Sequence, residues 1–442
     1  MAESPTIFAL SSAPGRAGIA VVRVSGERAG FVVDALAPPR PKDRVAALRR
    51  IRDPQSAEVL DEALVLFFAA PRTETGEDMA ELHLHGGPSI VKAVLGVLGR
   101  QAGCRLAEPG EFARRAFQNG KLDLAQVEGL ADLIEAETEA QRHQALAQMR
   151  GALSELYEGW RRALLEASAL TEAAIDFSDE GDVAADAMER ARTIVGKLEG
   201  EIAAHLDDGN RGEILRDGFR VVLAGPPNAG KSSLLNALAR RDAAIVSEEA
   251  GTTRDVIEVR LDLDGLPVIV SDTAGIREPR GAVEKEGIRR TLAHARDADL
   301  VLWLSEATAP LVPPPPEVSG RGDTFFLPLA SKIDISGAVA DGRLGVSAKT
   351  GAGLPELVAA IAQRARERVG DLSAPAITRA RYRERFMECM NSVHEYMNGP
   401  ADQYELRAED LRRATQAIGR ITGRVDVEDV LGEIFGRFCI GK

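Results

Sequence analysis

Residues 219–236 read FRVVLAGPPNAGKSSLLN. Apolar Val221 to Ala224 end at Gly225, and from there the spacing is Gly225, four residues, Gly230, Lys231, Ser232. A short buried run followed by this spacing and an apolar helical pattern predicts a phosphate-binding loop between a strand and a helix. Glycines at both ends let the backbone curl until successive N–H groups point inward, with the positive end of the helix starting near Lys231 behind them. Asn228, Ala229, Gly230, Lys231, Ser232 and Ser233 are the expected phosphate contacts. Lys231 would neutralise the β and γ phosphates and Ser232 would ligate Mg²⁺. A glycine turn that binds nothing looks the same locally, and only motifs further along the chain separate the two.

Further nucleotide motifs come after the loop, in order. Thr252 and Thr253 in AGTTRD stand where a switch threonine completes the Mg²⁺ shell and senses the γ-phosphate, as in GTP-hydrolysing proteins. Ile257, Val259, Leu261 and Leu263 alternate with charged residues, and Asp264-Gly265 turns the chain into Leu266 to Val270, which predicts a hairpin leading to Asp272. Asp272 opens DTAG, where its carboxylate would hold the Mg²⁺ shell while Thr273, Ala274 and Gly275 approach the γ-phosphate. Beyond Phe325 to Leu327, the segment Ser331-Lys332-Ile333-Asp334 offers a carboxylate that can accept guanine N1–H and N2–H together, a donor pair adenine lacks. Ser347, Ala348 and Lys349 match the second base-contacting loop. The guanine tetrapeptide usually begins with Asn, and Ser331 stands there instead. Pro310 to Gly322, with four successive prolines from Pro313 to Pro316, reads as an exposed loop.

With 442 residues the chain is too long for one core, so two or three domains are expected. No apolar run approaches a membrane span, and MAESPTIFAL lacks the regions of a signal peptide, so a cytoplasmic protein without a membrane contact is expected. Cys104, Cys389 and Cys439 form neither a C-x-x-C pair nor a disulfide framework, which predicts reduced thiols and no zinc. A net charge of −13 argues against a general nucleic-acid coat. The acidity is local: residues 121–215 hold 9 basic and 21 acidic residues, whereas 1–120 hold 15 and 14, so an RNA contact on another domain stays open.

The first 118 residues read as a mixed α/β unit, with strands over Ile19–Val24, Ala63–Phe68 and Glu81–His85 and a helix over Ser89–Leu98. Arg16 and Arg23 near the Pro-Gly turn of SSAPGRAGIAVVRVSG suit an anionic ligand; equally, Arg23 reads as a charge on the solvated face of a half-buried strand. From Lys121 to about Leu215 the pattern turns helical. Leu124, Val127, Leu130, Leu133 and Ile134 share one face, and Leu156, Trp160, Ala163, Ala167, Leu170 and Ala174 form a second stripe, both of which predict bundle core. The acidic run Asp176 to Asp182 reads as a loop without metal, since its spacing is not that of a calcium loop. Arg379, Arg381, Arg383 and Arg385 at the start of the returning helical segment fit either a solvated helix start or a phosphate-binding patch.

Taken with SAPGRAG, the HGG of His85 to Gly87, EPGEFARRAFQNGKLDLAQVE (Glu108 to Glu128) and FCIGK (Phe438 to Lys442), these motifs resemble the tRNA modification GTPases called MnmE or TrmE along the whole chain. The resemblance implies an α/β P-loop GTPase domain inserted in an all-α helical-bundle domain, preceded by an α+β tetrahydrofolate-binding domain. The corresponding boundaries are 1–118 (folate-binding, dimerising), 119–215 (helical, first part), 216–371 (GTPase) and 372–442 (helical, second part). It further implies a homodimer working with an FAD-dependent partner to place an aminomethyl or carboxymethylaminomethyl group on carbon 5 of the wobble uridine of tRNA. The one-carbon donor would be 5-formyl- or methylene-tetrahydrofolate, held by residues matching Arg23, Glu81, Lys121 and Lys442, cations for the glutamate tail and a carboxylate for the pterin N–H groups. Ile276 follows DTAG where Ras-like proteins keep a water-orienting Gln, so another residue must handle the water, and the resemblance implies Glu284 for it, with Lys231 and Thr253 also catalytic. Potassium held by Asn228, Ser247, Glu249 and Thr252 would take the place of an arginine finger. Asn228 also reads as a residue that tolerates the turn, and Cys439 as either a nucleophile or a buried structural thiol. An RNA-binding regulatory GTPase of the ribosome-assembly kind, without modification chemistry, would share every motif from Gly225 to Lys349 but has no use for SAPGRAG and CIGK together.

Overall fold

The structure is a computed structural model that describes residues 4–177, 181–241, 243–245, 258–272, 298–310, 313–314, 324–336, 339, 342–371, 374–400, 403–425, 428–436, 438 and 440–441. The chain forms two compact units, Met1–Ala131 with Gly419–Lys442, and Asp132–Ile418.

The first unit is built on strands β1 (Thr6–Leu10), β2 (Ile19–Ser25), β3 (Ala47–Arg52), β4 (Val59–Phe68), β5 (Met79–His85) and β6 (Cys104–Leu106), in the order β3-β4-β5-β2-β1-β6. All pairs are antiparallel except β1 with β6. The three strands and the helix expected from alternation are present, and the helix runs Pro88–Gly99 with proline in its first turn, where the missing N–H costs nothing. Val22, Val24, Val65, Leu82 and Leu84 point to one face and are sealed by Val32, Val33 and Leu36 of the helix Ala29–Leu36 and by Val94, Val97 and Leu98 of the helix Pro88–Gly99. Ile7, Ala9, Met79 and Phe112 form a smaller core on the other face.

The stretch Glu108 to Glu128 is largely scaffold. Glu111 is buried and accepts from Arg105 (2.6 and 2.7 Å), from Arg115 (3.0 Å) and from the Glu108 N–H (2.9 Å). Burial alone would raise its carboxyl; these donors outweigh it and bring it down to about 2. Gly110 has φ 66°, and a Cβ there would lie 2.5 Å from the Phe435 carbonyl oxygen, so only glycine admits the returning helix Glu428–Gly436.

The second unit holds long helices and a second sheet. Helices Ala152–Asp176 and Gly181–Leu206 pack along each other, and Ala380–Asn398 packs on the latter. The apolar stripe of the first is turned from the expected one: Trp160, Ala167 and Ala174 are buried as read, but Tyr157, Leu164 and Thr171 replace Leu156, Ala163 and Leu170 inside. The polar members are accommodated because Thr171 Oγ1 bonds the Ala167 carbonyl (2.9 Å) and Tyr157 OH bonds His205 (3.2 Å). The sheet comprises β7 (Phe219–Ala224), β8 (Glu258–Leu263), β9 (Leu266–Asp272), β10 (Leu300–Glu306), β11 (Phe325–Ser331) and β12 (Leu344–Val346), in the order β12-β11-β10-β7-β9-β8. All neighbours are parallel but β8, which pairs with β9 through a tight turn at Asp264 (φ 55°) and Gly265 (φ 85°). Two consecutive left-handed residues are what a two-residue hairpin of this twist requires. Strands buried on both faces explain the continuous apolar runs VVLA and LVLWL.

Candidate nucleotide site

The carboxyl ends of β7, β9, β10, β11 and β12 open on one edge of the sheet, which is where ligands bind in folds of this kind. At the end of β7 the chain turns at Gly225 (φ 141°), whose missing side chain leaves room for the Leu304 carbonyl oxygen; a Cβ would sit 2.2 Å from it. Asn228 (φ 63°) and Gly230 (φ 93°) carry the left-handed geometry that curls the loop, and the helix Lys231–Ala239 begins directly after. Asn228, Ser232 and Ser233 are exposed, while Ala229 is buried.

Lys231 is buried, and its Nζ donates to the Gly225 (3.0 Å) and Pro226 (3.1 Å) carbonyls, so it spans the loop it serves. Burial pulls its ammonium below the usual lysine value, with the Asp272 carboxylate working in the opposite direction. Asp272, at the end of β9, accepts from Ser232 Oγ at 2.5 Å. Two of the three oxygen donors expected at Mg²⁺, Ser232 and Asp272, are therefore adjacent, and an oxygen-only set beside phosphates suits that ion.

The base end is assembled from three strand ends. Ser331 Oγ donates to the Ala229 carbonyl (2.7 Å) and to that of Ser305 (3.3 Å), tying β11 to the phosphate loop. Lys332 is left-handed (φ 61°) and pairs with Glu306. Asp334 is exposed, and its Oδ1 accepts from the buried Ser347 Oγ at 2.7 Å; Ser347 in turn closes its own loop through Ala352 O (2.8 Å) and Thr350 N (3.2 Å). Ala348 is half-buried and Lys349 exposed beside them.

In the first unit, Arg23 stands opposite Glu81 across β2 and β5. Its guanidinium reaches Glu81 (3.0 Å) and Glu74 (2.9 Å), and the second Glu81 oxygen lies 3.0 Å from His83 Nε2. Lys121 is exposed and runs past the same Glu74–Asp78 loop, its Cε 3.1 Å from where a Gly76 Cβ would be. Ser11 Oγ donates to the Gly441 carbonyl (2.9 Å), which sets the residue before Lys442 at the end of β1. Lys442, Cys439, Ser247, Glu249, Thr252, Thr253, Thr273, Ala274, Gly275 and Glu284 lie outside the described residues, as does most of the proline-bearing stretch 310–322.

Family models match almost the whole chain: "GTP-binding protein TrmE N-terminus" over residues 6–121 and "MnmE helical domain" over 124–439. A protein of Parvibaculum lavamentivorans described as tRNA modification GTPase MnmE is 54% identical over 99% of this chain and 100% of its own length. The chain belongs to the MnmE family. The relative of the same description from Beijerinckia indica shares 51% identity over 99% of this chain and 96% of its own length. Among solved structures, the G domain of the T. maritima FeoB iron transporter matches 33% of this chain and 98% of its own at 25% identity and a TM-score of 0.25, too low to bear on how the domains are arranged.

Several residues around these MnmE-family motifs escaped the sequence reading. Glu74 and His83 complete the Arg23–Glu81 group; the signal for His83 was the alternation that puts it on the same face as Glu81, while Glu74 comes from the loop before β5 and had none. Ser305, Glu306 and Arg343 brace the base end from outside every motif, and Arg343 reaches its partners across a strand, which no local pattern reveals.

Proposed function

We propose that this chain is the GTP-hydrolysing component of the system that modifies carbon 5 of the tRNA wobble uridine, acting as a homodimer with an FAD-dependent partner and a folate one-carbon donor. The observation that carries the reading is the adjacency of Ser232, Asp272 and Lys231 on one sheet edge with Ser331, Asp334 and Ser347. One set is suited to phosphates and the other to guanine. The tRNA comes from the relatives described as tRNA modification GTPases. In this reading the division is 1–118, 119–215, 216–371 and 372–442, and the protein works in the cytoplasm; among the described residues no helix is long and apolar enough to cross a membrane.

Lys231 would hold the β and γ phosphates, and the loop N–H groups from Asn228 to Ser233 would cradle them. Ser232 and Asp272, joined by Thr253, would carry Mg²⁺, which when bound offsets phosphate charge. Asn228, exposed and left-handed, would offer its side-chain oxygen to K⁺ with Ser247, Glu249 and Thr252, and Glu284 would orient water. Arg23, Glu81 and Lys121 with Lys442 would hold the folate, the Arg23–Glu81 pair opening its outer valences to the ligand's carboxylate and ring N–H groups. Cys439, beside Lys442 in sequence, would serve either as a nucleophile or as a buried structural thiol. Two measurements test the function: GTP hydrolysis in KCl against NaCl, and mass analysis of wobble uridines in tRNA from cells lacking the protein. Absent hydrolysis, or an unchanged uridine, overturns it.

A further inference from the structure

Behind the guanine-reading segment lies a buried guanidinium that no nucleotide motif contains. Arg343 precedes β12, is 8% exposed, and sends its side chain past β11 to the end of β10. Its Nη1 donates to Ser305 Oγ (2.6 Å) and to the Glu306 carbonyl (3.4 Å), and its Nη2 to the Ala309 carbonyl (3.2 Å). A charged group taken out of water at this depth is tolerated only if its donors are well matched, and removing it strands the acceptors it served.

Those acceptors hold the base-reading segment. Ser305 supplies the carbonyl that Ser331 Oγ bonds, Glu306 takes the Lys332 ammonium, and the Ala307 N–H bonds the Ser331 carbonyl (2.9 Å). Ser331 is a short side chain where this tetrapeptide usually has Asn, so it reaches Ala229 and Ser305 through one hydroxyl. A one-atom tether fixes position well only if the strand end it leans on is itself fixed. Among the described residues, β10 beyond Leu304 has no strand partner other than β11, and Arg343 adds a brace to it from the far side of β11.

We propose that Arg343 is a positioning residue for guanine recognition: through Ser305, Glu306 and Ala309 it holds the 305–309 turn against which Ser331 and Lys332 set Asp334 in place. The proposal rests on the guanine-binding reading of this site. It predicts an effect on discrimination and not only on affinity. Asp334 reads N1–H and N2–H together, and inosine lacks the N2–H. A displaced Asp334 loses the second bond first, so the preference for guanosine over inosine nucleotide shrinks.

The test is titration of the full chain with GDP and with IDP. For Arg343→Met we expect GDP affinity to fall about tenfold while IDP affinity falls by less, so that their ratio drops; a bond to a charged donor is of that size. Ser305→Ala, which leaves no large cavity, should lower the ratio in the same direction. Equal losses for GDP and IDP, or an unchanged ratio in both variants, would overturn the proposal while leaving guanine binding intact. If the unaltered chain binds neither nucleotide, the guanine reading itself fails and the role of Arg343 with it.

Discussion

Arg383 Nη2 lies 2.8 Å from Asp208 Oδ1, a carboxylate whose side chain is 2% exposed. Asp208 also accepts from the Asn210 (2.9 Å) and Ile377 (3.2 Å) N–H groups, and Arg383 Nη1 caps the Leu206 carbonyl (2.8 Å). The segments that lead into and out of the second sheet are thus joined through Arg383, which also lies 3.7 Å from Glu213. Its neighbours are similarly engaged: Arg379 with Asp132 (2.6 Å), Arg385 with Glu388 (2.6 Å), and Arg381 over the Tyr382 ring. Of the two sequence readings of this cluster, neither a solvated helix start nor a phosphate patch describes Arg383.

Arg383→Gln should therefore act on stability. Breaking a buried pair by removing one partner costs about 3 kcal/mol, because the carboxylate stays behind. The urea midpoint followed at Trp160, in a Trp303→Phe background, should fall accordingly. The salt dependence of tRNA binding should keep its slope; a slope lower by about one, with an unchanged midpoint, would return Arg383 to a phosphate contact.

His205 gives the second unit a pH dependence. Burial beside Tyr157, Trp160 and Phe386 lowers its pKa to about 4, with Asp208 pulling upward and Arg211 and Arg383 downward. The unfolded chain, with an ordinary histidine, binds the proton at higher pH. Stability contributed by neutral His205 is thus full above about pH 6.5 and is lost as pH falls toward 4, roughly 3 kcal/mol in all. Glu111 belongs to the other unit and loses its contribution only below about pH 4.5. Urea midpoints between pH 7 and 5 should slope in the native chain and flatten in His205→Phe. An equal slope in the variant would place the proton elsewhere.

The phosphate loop, the β8–β9 hairpin and the strands β2, β4 and β5 of the first unit were legible because each is fixed by neighbours in sequence: Gly225 and Gly230 by backbone angle, Asp264-Gly265 by turn type, Val22, Val24, Leu82 and Leu84 by alternation. Half of the stripe of the Ala152–Asp176 helix, Leu156, Ala163 and Leu170, was misread by one position, since Tyr157 and Thr171 become inner residues only through partners such as His205 that lie far along the chain. Strand β3, with its exposed Leu48 and Arg50, carries no apolar face of its own and gave no signal. Arg343 and the Arg383–Asp208 pair were invisible for the same reason: an arginine's reach is longer than any periodicity.

Arg23 ties the exposed Glu74 to the half-buried Glu81, so its removal leaves two carboxylates without their shared guanidinium. Arg23→Ala should weaken binding of 5-formyl-tetrahydrofolate by tenfold or more, as expected for a lost charge-assisted contact, and Arg23→Lys should restore part of it. Calorimetry on the intact protein reads both. No heat with the native chain, or equal affinity in Arg23→Ala, would remove the folate from this face.

Asp334→Asn probes the base most directly. Ser347 Oγ donates to Asp334 Oδ1, so in the amide variant the oxygen is held toward Ser347 and the NH₂ is left facing the base. Guanine then meets a donor where it needs an acceptor, and GDP affinity should fall by about 2 kcal/mol or more, some thirtyfold. Xanthine carries a carbonyl in place of the 2-amino group and accepts from the same NH₂. XDP should consequently bind the variant better than it binds the native chain, while GDP does the reverse. Competition between the two nucleotides measures this crossing, and a variant that still prefers GDP as strongly as the native chain would mean that a residue other than Asp334 reads the base.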